Sequence, residues 1–299
     1  MSVLMFDFHN LIFRTIFTKD VGIYTPEPDF QLWRYLTFNS IFEALKIHKN
    51  ATEVILAMDD TKSWRKVFFP RYKENRRKSR DKQVDVDWQQ LFNEFNSFAY
   101  DLKTLIPFKL LKVKLCEADD VIGVLCQDKM EDEKSVVVIS NDEDYLQLLY
   151  MKNVKVYNPM KREYRKCKDT ELFITEKCLL GQSKDNIFNI KTPDDWGLTP
   201  DTDGKRKPGF GPAALKKVMD YGWEKWLKDN ELEDRFNKRN KVLMDFRCIP
   251  QAVRSNIIKA YENYEYPDAD NIYKFFSKNK FRGFLDEFTS VENRLLRLY

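Results

Sequence analysis

Histidine is almost absent from this chain: His9 and His48 are the two among 299 residues. That scarcity sets aside His-ligated metals and Ser-His-Asp catalysis. The five cysteines (Cys116, Cys126, Cys167, Cys178 and Cys248) are odd in number and form no C-x-x-C pair. Reduced thiols of a cytosolic protein are therefore expected, and a cysteine zinc site is not. Cys116, beside Glu117, has no histidine near it in sequence and is expected to fill the core. No apolar run approaches the ~18 residues that span a bilayer, so no membrane partner is expected. The opening MSVLMFDFHNLIF is apolar but lacks a basic leader and contains Asp7, which predicts a buried strand and not a signal peptide. Acid–base or metal chemistry, if present, falls to carboxylates.

What the chain does have is enough apolar material for a sizeable core, 43% hydrophobic residues, together with 33% charged ones. The net charge of +4 conceals an asymmetry. Residues 62–82, KSWRKVFFPRYKENRRKSRDK, hold ten Lys or Arg against Glu74 and Asp81, and the other 278 residues are net acidic. Trp64, Phe68, Phe69 and Tyr72 are interspersed, a composition that fits a single-strand nucleic-acid binder as well as a merely solvated basic helix.

Short β-branched runs predict strands at SVLMFDF, TEVILAMD and KSVVVISND, with weaker signals at 108–114 and 154–159. A helical pattern covers about 30–49, and a second helix starts near Ala118. Strands rich in Val, Ile and Leu alternating with helices predict an α/β fold, a mainly parallel central sheet flanked by helices. Strand signals fade past Tyr164. A helix is expected over 171–181, a long polar loop over 191–209, and mostly helix from Pro212 onward. The domain boundary is placed near 180: an α/β domain over 1–180, containing a basic segment at about 62–95, and a smaller all-helical domain over 181–299.

Within this frame the acids fall in register. Asp7 ends the first strand, Asp59 the second and Asp142 with Asp144 the third, while Glu117, Asp119 and Asp120 crowd one helix start. Parallel sheets bind ligands at the carboxyl ends of their strands. Asp142 and Asp144, two apart, can face the same way from an extended segment. Each Asp alone is a turn former or a helix cap, and Asp60 is left to that class. Gathered together without histidine, carboxylates suit hard cations, Mg²⁺ above all.

These segments are similar to those of the 5′-nuclease family, which includes flap endonucleases and the 5′-exonuclease domains of bacterial DNA polymerases. The motifs are Asp7 at the first strand end, FPRYKENR (69–76), EADD (117–120), SNDEDYLQL (140–148) and GQSKDN (181–186). The likeness continues over 240–264 and 271–276 toward a phage branch of the family. The resemblance implies a PIN-like nuclease core with a helical arch, and a two-metal phosphodiesterase. Asp7, Asp59, Glu117 and Asp119 would surround one Mg²⁺, with Asp120 assisting through water, and Asp142, Asp144 and Asp185 would surround the other. Mn²⁺ would substitute. Gln182 stands where the family turn usually has an Asp, which weakens the expected second site.

The resemblance also makes Lys73 and Arg76 the catalytic basic pair facing the scissile phosphate. Tyr72 would stack on a base, and Arg65, Arg71 and Arg77 would contact phosphates. KPGFGPAALKKVM (207–219) resembles the family's helix-hairpin. There Gly209 and Gly211 would admit phosphate to the backbone, Lys216 and Lys217 would lie along a duplex, and K⁺ would bind in the turn. The expected activity is removal of RNA primers and 5′ flaps, as 5′-3′ exonuclease and flap endonuclease, by a monomer in a phage-infected host cytoplasm. Expected partners are forked, flapped or nicked DNA, RNA–DNA hybrid, and a single-strand DNA-binding protein or sliding clamp. Two rival readings are a PIN-type ribonuclease, usually much shorter, and a non-catalytic fork-binding accessory factor.

Overall fold

The computed structural model describes residues 1–25, 27–76, 86–130 and 134–299. Arg77 and the stretch 77–85 of the expected arch lie outside them. The chain divides into two units. The first comprises Met1–Thr61, Gln83–Lys166 and Gln251–Tyr299; the second comprises Lys62–Lys82 and Cys167–Pro250.

The first unit is built on a six-stranded sheet. Its strands are β1 (Ser2–Asp7), β2 (Ala51–Met58), β3 (Lys109–Lys112), β4 (Ser135–Ile139), β5 (Val154–Asn158) and β6 (Glu163–Tyr164), in the order β3-β2-β1-β4-β5-β6. All pairings are parallel except that of β5 with β6. Val3 to Phe6 are buried on both faces, as expected of a central parallel strand covered by helices. β1 lies between β2 and β4, so the strand order reverses beside it, the switch point at whose carboxyl strand ends open parallel sheets bind ligands. Asp7 pairs in register with Ala57, two residues before Asp59, and Phe6 pairs with Ile139, three residues before Asp142. Three acid-bearing strand ends therefore converge at one edge.

The helix Phe30–Ile47 supplies the main core anchors. Trp33 and Phe38 are fully buried, and Trp33 meets Phe95 and Phe98 of the helix Trp88–Leu105. Phe38 also touches Phe275, Phe276 and Phe284, with ring centroids 5.1–5.2 Å apart. Each such pair contributes about 0.5–1.5 kcal/mol beyond its buried area. The C-terminal helices Gln251–Glu262, Asn271–Lys278 and Phe288–Leu295 thus belong to the unit that begins at Met1.

The division of contacts therefore differs from a boundary at 180. Fading strand signals mark where the sheet ends, but they carry no information about which core a later helix fills. The second unit has its own core, in which Phe69 and Tyr72 pack with Ile174, Phe188, Phe210, Leu215 and Phe236. The expected helix-hairpin lies in it: Pro212 opens the helix Pro212–Tyr221, with Gly211 as its N-cap. Among the described residues no helix is long and apolar enough to cross a membrane.

Candidate active-site residues

In the first unit the acids are held by the backbone turns that end the strands. Asp7 caps the helix Phe8–Ile16, accepting from the Asn10 N–H at 3.0 Å, while its Oδ2 accepts from the Tyr145 hydroxyl at 3.2 Å. Desolvation, then the charge of Asp59 and, more weakly, that of Asp142, push its carboxyl up to about 7. Asp59 Oδ1 accepts from the Ala118 N–H at 2.7 Å. The Asp59 N–H donates to His9 Nδ1 at 3.1 Å, which fixes that nitrogen of His9 as an acceptor. Asp60 accepts from the Leu115 N–H at 2.9 Å and serves the turn, as the sequence indicated.

Glu117 and Asp120 form a capping box at the start of the helix Ala118–Asp128, with the Glu117 N–H donating to Asp120 Oδ2 at 2.9 Å. Glu117 and one oxygen of Asp120 therefore accept from N–H groups at the helix terminus. Asp119, between them, is half-buried. The segment after β4 also departs from expectation. Asp142 is not on an extended strand but caps a 3₁₀ helix, Glu143–Tyr150, accepting from the Asp144 N–H at 3.0 Å. Tyr145 is buried, and the charges of Asp7, Asp119, Asp142 and Asp59 together hold its hydroxyl well above the usual phenol range, after the larger effect of burial. Tyr145 and His9 are the site residues that sequence reasoning passed over. Their positions, beside Asp144 and two after Asp7, were the signal.

Among the described residues no three Asp, Glu, His or Cys side chains stand close enough to enclose a metal ion. The donor set nonetheless fits a hard cation: it is all oxygen, and the like charge that raises Asp7 opposes closer approach of the carboxylates.

In the second unit the GQSKDN and PRYKEN segments lock together. Gly181 has φ +70°, and a Cβ there would meet backbone atoms of Phe188 and Asn189 at 2.5–2.6 Å, so only glycine fits. Gln182 and Ile187 exchange backbone hydrogen bonds, closing the turn. Asn186 donates to the Arg71 carbonyl at 2.7 Å, Asn75 to the Ser183 carbonyl at 3.0 Å, and the Lys73 N–H to the Asp185 carbonyl at 2.8 Å. Asp185 is buried and pairs with Arg76 at 2.5 Å and with Lys73 Nζ at 4.0 Å. Expected as a metal ligand, it is here the counterion of the two expected catalytic cations.

Two of the expected nucleic-acid contacts are buried in the second unit. Tyr72 is only 3% exposed, and its ring packs in the second core beneath Lys73, so it offers no face to a base. Arg65 is 2% exposed and donates from Nε to the Leu243 carbonyl at 2.9 Å, so burial withdraws it from any phosphate. Arg71 is half-buried and spans Glu74 and the Trp196 carbonyl. Gly209, Gly211, Lys216 and Lys217 are exposed, with open space where a Cβ of either glycine would lie.

Comparison with known proteins supplies the relatives. A family model described as "5′-3′ exonuclease, N-terminal resolvase-like domain" matches residues 2–178, and one described as "T4 RNase H, C terminal" matches 168–290. Ribonuclease H of Enterobacteria phage T4 is 31% identical over 264 residues, covering 85% of this chain and 86% of that protein. A 5′-3′ exonuclease of Buchnera aphidicola is 29% identical over 158 residues, covering 48% of this chain and 50% of that protein. Among solved structures, the T5 D15 protein co-crystallized with metal ions aligns with a TM-score of 0.64 at 20% identity, covering 89% of this chain and all of that one. The bacteriophage T5 D15 flap endonuclease, in a pseudo-enzyme–product complex with DNA and metal ions, aligns at 0.60 and 20% identity, covering 93% of this chain and 98% of that one. At that identity the two structures bear on the fold alone.

Proposed function

Because the chain belongs to the 5′-3′ exonuclease family, we propose that it is a structure-specific 5′-nuclease whose carboxylates at the β1, β2 and β4 strand ends form a centre for two divalent cations. The observation that carries this reading is Asp7, held at a strand switch point with its charge opposed by Asp59 and Asp142. Asp7, Asp59, Glu117 and Asp119 would hold the first cation, and Asp142 with Asp144 the second. Asp120, committed to the capping box, would act only through water. Mg²⁺ is the expected ion because every donor is a hard oxygen. A bound divalent cation supplies electrostatic stabilisation to a phosphodiester as charge develops on it.

The chain's own groups hold this arrangement in place. Tyr145 orients Asp7 through its hydroxyl. The Ala118 N–H and His9 fix the side chain and backbone of Asp59. In the second unit Lys73 and Arg76 supply positive charge for a phosphate, and Asp185 sets their position. Gly209 and Gly211 leave backbone N–H groups open to a phosphate, carbonyl oxygens of the same turn would take K⁺, and Lys216 and Lys217 add charge in the second turn of the following helix. T4 ribonuclease H as a relative favours RNA–DNA primers and 5′ flaps as substrates.

The test is incubation of a 5′-labelled flap, and of an RNA-primed duplex, with Mg²⁺ and then with EDTA. Metal-dependent release of 5′ products supports the reading. Binding without cleavage at any Mg²⁺ or Mn²⁺ concentration would sink it in favour of a fork-binding accessory factor. Cleavage of unpaired RNA alone would favour a PIN-type ribonuclease.

A further inference from the structure

On the side remote from β6 the sheet ends at β3, whose outer edge has no strand partner among the described residues. The Tyr264 hydroxyl covers part of that edge, accepting from the Leu110 N–H at 3.2 Å and donating to the Phe108 carbonyl at 2.8 Å. Backbone groups of a strand alternate between its two edges, so the Leu110 carbonyl and the N–H and carbonyl of Lys112 face the same way as the Leu110 N–H. Among the described residues no group meets these three.

Beside them lies a cavity of about 510 Å³, within the ~300–1,000 Å³ range of ligand pockets. Met58 and Leu110 contribute apolar wall, Asn96 and Tyr100 polar groups, and Lys103 and Lys112 positive charge, against one acid, Glu265. Both lysines are exposed, whereas Lys109 of the same strand is committed to Glu53 at 2.7 Å. We infer that this edge is a docking groove for an extended acidic peptide of a partner protein, which adds beside Leu110–Lys112 as a further strand and sets carboxylates against Lys103 and Lys112. The open backbone groups decide for a peptide over a nucleic acid. They ask for alternating amide donors and acceptors at strand spacing, which a phosphate backbone does not present.

The probe is a fluorescein-labelled octapeptide of alternating valine and glutamate, titrated with the full chain and followed by anisotropy. Controls carry lysine for glutamate, or N-methyl groups on either set of alternate amides. The expected result is binding of the glutamate peptide, lost on methylating one alternate set but not the other. It should weaken about tenfold or more in a Lys103→Glu/Lys112→Glu variant, whose circular dichroism and flap cleavage stay unchanged. The proposal is overturned if the glutamate peptide does not bind, or if the lysine peptide binds equally well. It is also overturned if neither methylation matters, if the charge-reversed variant binds as before, or if a single-stranded oligonucleotide proves to be what the two lysines hold.

Discussion

At Asp7 burial and two neighbouring carboxylates all oppose the charge, and the consequence is measurable without substrate. Its folded-state value, about 7, lies above the ordinary 3.8, so the folded protein holds that proton more tightly than the unfolded chain does. The contribution to stability is fully present below pH ~4, is lost as pH rises toward ~7, and levels off above. Metal-free wild type compared with Asp7→Asn should therefore show a stability difference that moves against wild type across that window, by at most about 4 kcal/mol at 1.36 kcal/mol per unit. Urea unfolding at a series of pH values in EDTA checks it, and a difference independent of pH would refute it. A second residue-scale prediction concerns Asp144. Asp144→Asn should lower flap cleavage by well over tenfold while leaving duplex binding nearly intact, because phosphate contacts dominate affinity. More than a tenth of wild-type turnover at saturating Mg²⁺ would remove Asp144 from the centre. Asp7, Asp59 and Asp142 were legible in the sequence because a strand announces its end and a parallel sheet gathers its ends. Tyr72 and Arg65 were not, since an aromatic or a guanidinium in a basic run looks alike whether it faces solvent or a core.

Among the elements, the turn after the helix Thr170–Leu180 is the most constrained. Gly181 needs both a positive φ and the space of a missing Cβ against the backbone of Phe188 and Asn189. Gly181→Ala should cost more than the ~1 kcal/mol of an ordinary glycine replacement, because neither backbone can move without breaking the Gln182–Ile187 exchange. A thermal melt shows it as a lowered Tm, and a variant as stable as wild type would mean that the turn relaxes freely. The same turn holds Asp185, so cleavage should fall with stability at assay temperatures near the melt. Sequence periodicity located the helix that precedes this turn. It could not show that the turn docks on the PRYKEN segment, since that rests on side-chain amides, Asn75 and Asn186, reaching carbonyls about 110 residues away.

For the molecule as a whole, the C-terminal helices complete the core begun by Leu4 and Phe6. Ending the chain at Pro250 would expose Phe38 and Phe98, both of which pack on Phe275. The loss of several buried phenylalanines, about 3–5 kcal/mol for each Phe→Ala, exceeds a typical domain stability of about 5–15 kcal/mol. Such a truncation should be insoluble or molten, judged by lost near-ultraviolet dichroism. A cooperative melt would refute it. A purely sequential division at 180 predicts the opposite, that residues 1–180 fold alone. The α/β class was legible from strand composition, but phenylalanine contacts across some 240 residues leave no local trace in the chain.

That late closure has a bearing on synthesis. A ribosome releases the strand-end aspartates long before the segment from Ile272 to Leu298 that seals their scaffold. During that interval the growing chain carries an open apolar face and unfinished sheet packing, the state in which nascent proteins are prone to aggregate. The acids therefore reach their final setting only after nearly all of the described sequence has been made. An interrupted translation product would hold Asp7, Asp59, Glu117, Asp119, Asp142 and Asp144 and still lack the frame that gathers them.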